Sequence, residues 1–277
     1  MMMDVMTSAS AASALPVGAA RARIAMVDGC SSVTLQQARS PSKLLIPCPR
    51  GKAVWLCHLT FGGGVVAGDR IDLQLQIEQG STTLSATQGA TKIYRDPDAR
   101  WSEQHLRAHI AKDALLVHLP HPVTAYAGAR YRQQTTFDCA AGGSVLWWDV
   151  LTAGRPDQGE HWSADAVHLS TQLQSDKTVI ARDALRLHGD LSREQLQHWR
   201  CVVTMGLYGP GCKEAAQELL ANPPANSKGA RWVVSPLADG CLLRGLTTSA
   251  EIARDTCRAA NAWLVEQLGD DPWRRLM

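Results

Sequence analysis

From Arg70 to Glu78 the chain alternates without a fault: Ile71, Leu73, Leu75 and Ile77 are aliphatic, and the residues between them are polar. Successive side chains of a β-strand point to opposite faces, so this run can bury one clean face only as a strand. Gln79-Gly80 then makes a turn and Thr82 to Thr87 resumes with β-favouring threonines, so the pair reads as a hairpin. Shorter runs of the same kind follow at residues 106–110, 115–119, 134–137, 145–151, 167–173 and 185–187, with two more at 232–235 and 241–243. Gly, Pro and Asp punctuate them. Many short strands divided by turns predict a mainly β protein of stacked sheets. Helices are few. Residues 214–221 put Ala215, Ala216, Leu219 and Leu220 on one side before Pro223-Pro224 stops them. Thr248 and Glu251 have capping-box spacing ahead of Ile252, Ala259, Ala260, Trp263 and Leu264, and Gly269 is a plausible terminator. The expectation is one β-rich domain over residues 23–277 with a layer of about two α-helices, preceded at residues 1–22 by a disordered extension rich in Met, Ser and Ala.

Composition removes several functions. Lys and Arg number 28 against 26 Asp and Glu, with no basic run, so the electrostatic footprint of a nucleic-acid binder is missing. No stretch approaches the roughly 18 consecutive apolar residues of a membrane span. The eight cysteines form no CxxC pair and no zinc-ligand spacing with histidine, as for reduced thiols of a cytoplasmic protein.

The glycine cluster of Gly62, Gly63, Gly64 and Gly68 is the first motif to test for chemistry. A phosphate-binding loop needs Lys and Ser or Thr after its last glycine and must open a helix, whereas Asp69 and a strand follow here. Structurally, such glycines allow positive φ or a close approach of two backbones. His118 and His121 are near enough to suggest a metal pair, yet Pro120 and Pro122 hold the segment extended, so their side chains are expected to diverge on a loop. Gly-x-Ser-x-Gly and His-Glu-x-x-His are both absent. Trp147-Trp148 lie in an apolar strand, which predicts at least one in the core and its neighbour on the other face.

Beyond pattern, ordered motifs carry a resemblance. Gly63-Gly64-Val65-Val66-Ala67-Gly68-Asp69-Arg70 is followed by an alternating strand and then by Thr87-Gln88-Gly89-Ala90-Thr91-Lys92-Ile93-Tyr94-Arg95. Leu119-Pro120-His121-Pro122 comes next, then Asp149 with Gly154-Arg155 and Gly159-Glu160, then Arg182-Asp183 and Leu242-Leu243-Arg244. In this order they resemble the UreD (UreH) family of urease accessory proteins from about Ile24 to the C-terminus, with a poorer match over residues 24–45.

The resemblance implies a β-helix-like stack of strands with no catalysis of its own. It implies a scaffold that holds urease apoprotein on one side and a helical UreF-type partner on the other, with a nickel-carrying UreG-type GTPase recruited through that partner. No tightly bound cofactor is implied; the resemblance implies at most a transient passage of nickel, for which weak oxygen or imidazole ligation along a wet path is the chemistry needed. Asp69, Asp149, Glu160 and Asp183 are the acids at family-like positions and are assigned to such a path or to partner contact, although Asp69 could instead cap a turn and Glu160 could pair with Arg155. The rival readings are a hydrolase or transferase on a β fold, which needs a nucleophile and base brought together in a pocket, and a nickel store, which needs converging ligands.

Overall fold

The computed structural model describes residues 15–48 and 51–276. The alternating run is β5 (Arg70–Ile77), and Ile71, Leu73, Leu75 and Ile77 are all buried, as the pattern requires. Its successor β6 (Thr82–Thr87) is not its hairpin partner. The turn at Gly80 passes the chain from one sheet into a second sheet, so each strand finds its neighbours one winding away. A turn sequence specifies a change of direction; it does not say which sheet receives the next strand.

The chain winds in this way repeatedly. In the first sheet, β1 (Ala19–Val27), β5, β8 (Ser102–Ile110), β11 (Arg130–Cys139) and β13 (Ala166–Ser175) run parallel. The antiparallel strands β2 (Cys30–Ala38) and β14 (Thr178–His188) complete its seven strands at the two edges. In the second sheet, β4 (Val54–Thr60), β6, β9 (Leu115–Leu119) and β12 (Ser144–Thr152) are parallel. The short β3 (Ser42–Leu45) edges that sheet, and β15 (Cys201–Tyr208), β17 (Gly240–Thr247) and β16 (Ala230–Leu237) extend it antiparallel. Two three-residue strands, β7 (Thr91–Ile93) and β10 (Val123–Ala125), pair with each other, and β10 also pairs with β12. The result is β-solenoid-like.

Helices cover the far face of the second sheet. The two predicted ones are α2 (Lys213–Ala221) and α3 (Ala250–Ala260), joined there by the shorter α4 (Leu264–Leu268) and α5 (Pro272–Leu276), whereas α1 (Gly189–Leu196) packs against β14 of the first sheet. The N-cap of α3 is Ser249, whose hydroxyl accepts from the Ile252 amide at 3.2 Å, one residue later than the capping-box spacing suggests. Thr248 instead donates to the Gly229 carbonyl. Buried Asn261 breaks the expected long helix into α3 and α4, and Gly269, at φ 74°, caps α4.

The extension expected at residues 1–22 overlaps β1, where Ala19, Ala20 and Ala22 are buried; residues 1–14 lie outside the described chain. Both neighbouring tryptophans are buried, on opposite faces of β12. Trp147 packs with Phe137 between the sheets, and Trp148 meets Trp273 of α5 beneath the helices. Opposite Trp147 stands Gly206, where a Cβ would come within 2.1 Å of the indole, so only glycine lets that ring lie flat on β15.

Candidate functional site

The space between the sheets is divided by a polar layer. On each of four strands a polar side chain interrupts an inward apolar row. Gln133 and Thr135 lie between Tyr131 and Phe137 of β11, Thr171 between Leu169 and Leu173, Asp149 between Trp147 and Leu151, and Asp183 between Ala181 and Leu185. Register makes a row of all but Gln133, which lies one step along β11. Thr135 pairs with Thr171 and Thr171 with Asp183 across the first sheet, and Asp149 pairs with Thr204 and Thr204 with Arg244 across the second.

Asp149 is the centre of this layer. Its Oδ1 accepts from Gln133 Nε2 at 2.9 Å and its Oδ2 from Thr171 Oγ1 at 3.4 Å. Burial outweighs those two bonds, and with the charge of Asp183 nearby it pushes the carboxyl up to about 7. Asp183 accepts from Thr204 at 3.3 Å and from Arg244 Nε at 2.8 Å, close to the surface. On the other side of Asp149 lies a cavity of about 30 Å³, room for a water molecule or two, lined in part by His58, His118, His121, Gln104 and Gln133. Burial lowers His58 to about 4 and His118 to about 3, so both imidazoles are neutral bases at pH 7. The expectation that His118 and His121 diverge on a loop does not hold: His118 lies on β9, hydrogen-bonded to Ser85 at 3.3 Å, and His121 contacts Thr87 at 3.3 Å, and both reach one cavity. Among the described residues no three His, Cys, Asp or Glu side chains converge as a metal cage.

The cavity opens toward a groove of about 320 Å³ with which it shares His58, Thr87, Thr91 and Gln104. The groove runs between the two motif loops, against Gly63 and Gly64 on one wall and Gln88 to Lys92 on the other. The loops are zipped together. Val65 N donates to Lys92 O at 2.8 Å, Tyr94 N donates to Val65 O at 3.1 Å, and a Cβ at Gly64 would sit 2.4 Å from the Lys92 carbonyl. That close approach is the physical reason for glycine at position 64.

The remaining motif residues lie apart from the cavity. Asp69 caps its own turn, accepting from Val66 N at 3.1 Å, and Arg70 pairs with Asp72 at 2.9 Å. Glu160 is bound by Arg155, whose guanidinium lies 3.9 Å over the Tyr126 ring; Tyr94 meets the same ring edge-on. Gly128 passes beside Arg95, and Gly154 beside Glu160. Of the four acids singled out from sequence, the fold brings Asp149 and Asp183 together and leaves Asp69 and Glu160 outside this layer. Sequence reading missed His58, Gln133 and Thr171; for Gln133 and Thr171 the sign available was a polar residue on the inward phase of an otherwise alternating strand, whereas His58 lies in a strand buried on both faces and gave no such sign.

Chemically, the layer offers neutral imidazoles, amide and hydroxyl oxygens and one carboxyl that ionises near neutrality. These are ligands a borderline divalent cation can take and release. The set does not suit nucleophilic catalysis. Ser42 Oγ lies 3.1 Å from His58 Nε2, but its hydroxyl is 2.7 Å from the Gly18 carbonyl, to which it donates, so its proton points away from the base.

Comparison with known proteins agrees with the motifs. A family model described as UreD urease accessory protein matches residues 17–276. The chain is 38% identical over 268 residues to the urease accessory protein UreD of Anaeromyxobacter sp. (strain Fw109-5), covering 94% of this chain and 90% of that one. It is 37% identical to the UreD of Sorangium cellulosum (strain So ce56), covering 86% and 77%. It is 31% identical to urease accessory protein D of Oryza sativa subsp. indica, covering 76% and 71%. No helix among the described residues is long and apolar enough to cross a membrane.

Proposed function

The chain belongs to the UreD family of urease accessory proteins, and from that premise we propose that it is a non-catalytic scaffold of urease maturation. In this reading it holds urease apoprotein and a helical UreF-type partner together in the cytoplasm. A UreG-type GTPase, reached through that partner, drives nickel insertion, and nickel is cargo that crosses between the two sheets. One observation supports the reading: the two family motifs fold against each other beside the polar layer, and the groove between them shares residues with the cavity at Asp149. The path runs from the motif groove past His58 and His118 to Asp149, and on to Asp183 at the far side. Asp149 gives up its proton as a cation arrives and takes it back as the cation leaves. Asp69 and Glu160, both outside this layer, are left with partner contact as their role.

The test is co-purification of this chain with urease apoprotein and the UreF-type partner, followed by urease assay after nickel and GTP are supplied. Both proteins should be captured. Asp149→Asn should keep the complex and lower activation roughly tenfold or more, as loss of a metal-path group does. Capture of neither protein would remove the scaffold reading; full activation by the variant would remove the path.

A further inference from the structure

The outward face of the seven-stranded sheet is arginine-rich, and its two halves are built differently. In the half nearer the start of β5, acids answer the arginines: Arg70 pairs with Asp72 at 2.9 Å and Arg132 with Glu103 at 2.7 Å, and His105 hydrogen-bonds to the same Asp72 at 2.9 Å. In the other half the closest partners are amides. Arg21 donates to Gln37 at 2.6 Å, Arg23 to Gln76 at 3.2 Å and Arg182 to Gln172 at 3.0 Å, while the Arg107 guanidinium makes no hydrogen bond or ion pair among the described residues. The acids there are Asp138, held by His109 at 3.4 Å, and Glu78, which lies 3.7 Å from Arg23 at the end of the strand. An amide satisfies a guanidinium's hydrogen-bonding geometry without cancelling its charge, so this half keeps a positive potential that the balanced chain as a whole lacks.

The same half is concave. Arg21, Arg23 and Arg107 line an open groove of about 700 Å³ together with Gln74 and Gln76, with Asp138 the one acid in its lining. Register fixes their spacing. Arg21 pairs with Gln74 and Gln74 with Arg107, which puts the two arginines two strands, about 10 Å, apart. Arg23 follows Arg21 by two residues on one strand, about 7 Å away. An extended peptide repeats its same-side groups at that second distance.

We propose that this groove docks an acidic, extended segment of a protein partner, with carboxylates at alternate residues meeting Arg21 and Arg23 and a further one reaching Arg107. The inference rests on the scaffold reading only in taking the partner to be a protein. The groove also lacks the Phe, Tyr or Trp platform on which single-stranded nucleic acid stacks.

The probe is a labelled ten-residue peptide of alternating Glu and Ser, titrated against the full chain by fluorescence anisotropy. Binding is expected at low salt and should weaken as ionic strength rises. The double variant Arg21→Gln with Arg107→Gln should weaken it about tenfold, and Asp149→Asn should leave it unchanged. No binding at low salt, equal binding by the double variant, or tighter binding of a single-stranded DNA of the same charge would each overturn the proposal. A chain that binds the peptide through these arginines yet captures neither urease apoprotein nor the UreF-type partner would keep the groove and remove the scaffold.

Discussion

The two faces of the ten-stranded sheet are buried in opposite styles. Beneath the helices, Trp55, Trp148, Val203, Met205, Leu264 and Trp273 make a continuous apolar contact. On the inner face the contact is broken: Trp147, Leu242 and Phe137 belong to one apolar cluster, Val65, Tyr131 and Leu151 to another, and the Asp149 layer runs between them. The dry face carries stability at little chemical interest. The inner face gives up some apolar burial for a row of hydrogen-bonded groups that hold one another in position.

The sharpest test of that division is Trp148→Ala, which empties the dry face and orphans the Pro120 carbonyl that the indole now satisfies at 2.7 Å. A loss of about 4 kcal/mol in denaturant unfolding is expected. A loss under about 1 kcal/mol would mean that the helices are not a second core. Asp149→Asn should act in the opposite direction. The folded state holds the Asp149 proton up to about pH 7, whereas the unfolded chain releases it near 4, so folding is favoured below pH 4 and that advantage fades as pH rises to 7. Asparagine mimics the protonated form. The variant should therefore lose this pH slope and, at pH 8, gain stability on the order of 2 kcal/mol, less than the full shift implies because the cavity admits water. Unchanged unfolding midpoints between pH 5 and 8 would show that Asp149 is solvated after all. The smallest effect belongs to Arg244→Gln. Its ion pair with Asp183 is half exposed and should contribute less than about 1 kcal/mol. With Arg244 gone, the less compensated Asp183 charge should move the Asp149 slope to higher pH, and an unmoved slope would separate the two acids electrostatically.

Much of the fold was legible where one face is wet. β5 could be read residue by residue because its polar side chains meet solvent, and β13 nearly so. Strands buried on both faces lose that alternation: β15 reads Cys-Val-Val-Thr-Met-Gly-Leu-Tyr, and its limits emerge only from its neighbours β12 and β17. β1 was hidden by its alanines, which have low strand propensity and are buried because β2 and β5 flank them. The site divides in the same way. Asp149 and Asp183 were reached through the family motif, but their convergence depends on a winding that sends β5 and β6 into different sheets. The hairpin reading concealed that winding. His58 and Gln133 come from windings far apart in sequence, and no local pattern links them.

A stack of parallel strands filled with similar aliphatic residues has little to tell one winding how to align with the next. The row through Thr135, Thr171, Asp183 and Asp149 supplies that information. A slip of one residue in β12 would turn Asp149 under the helices and bring Trp148 between the sheets, and a slip of two would strand the carboxyl beside Phe137 without Gln133 or Thr171. The hydrophilic stripe thus works as an alignment key for the coil, recording during folding where each turn must stop.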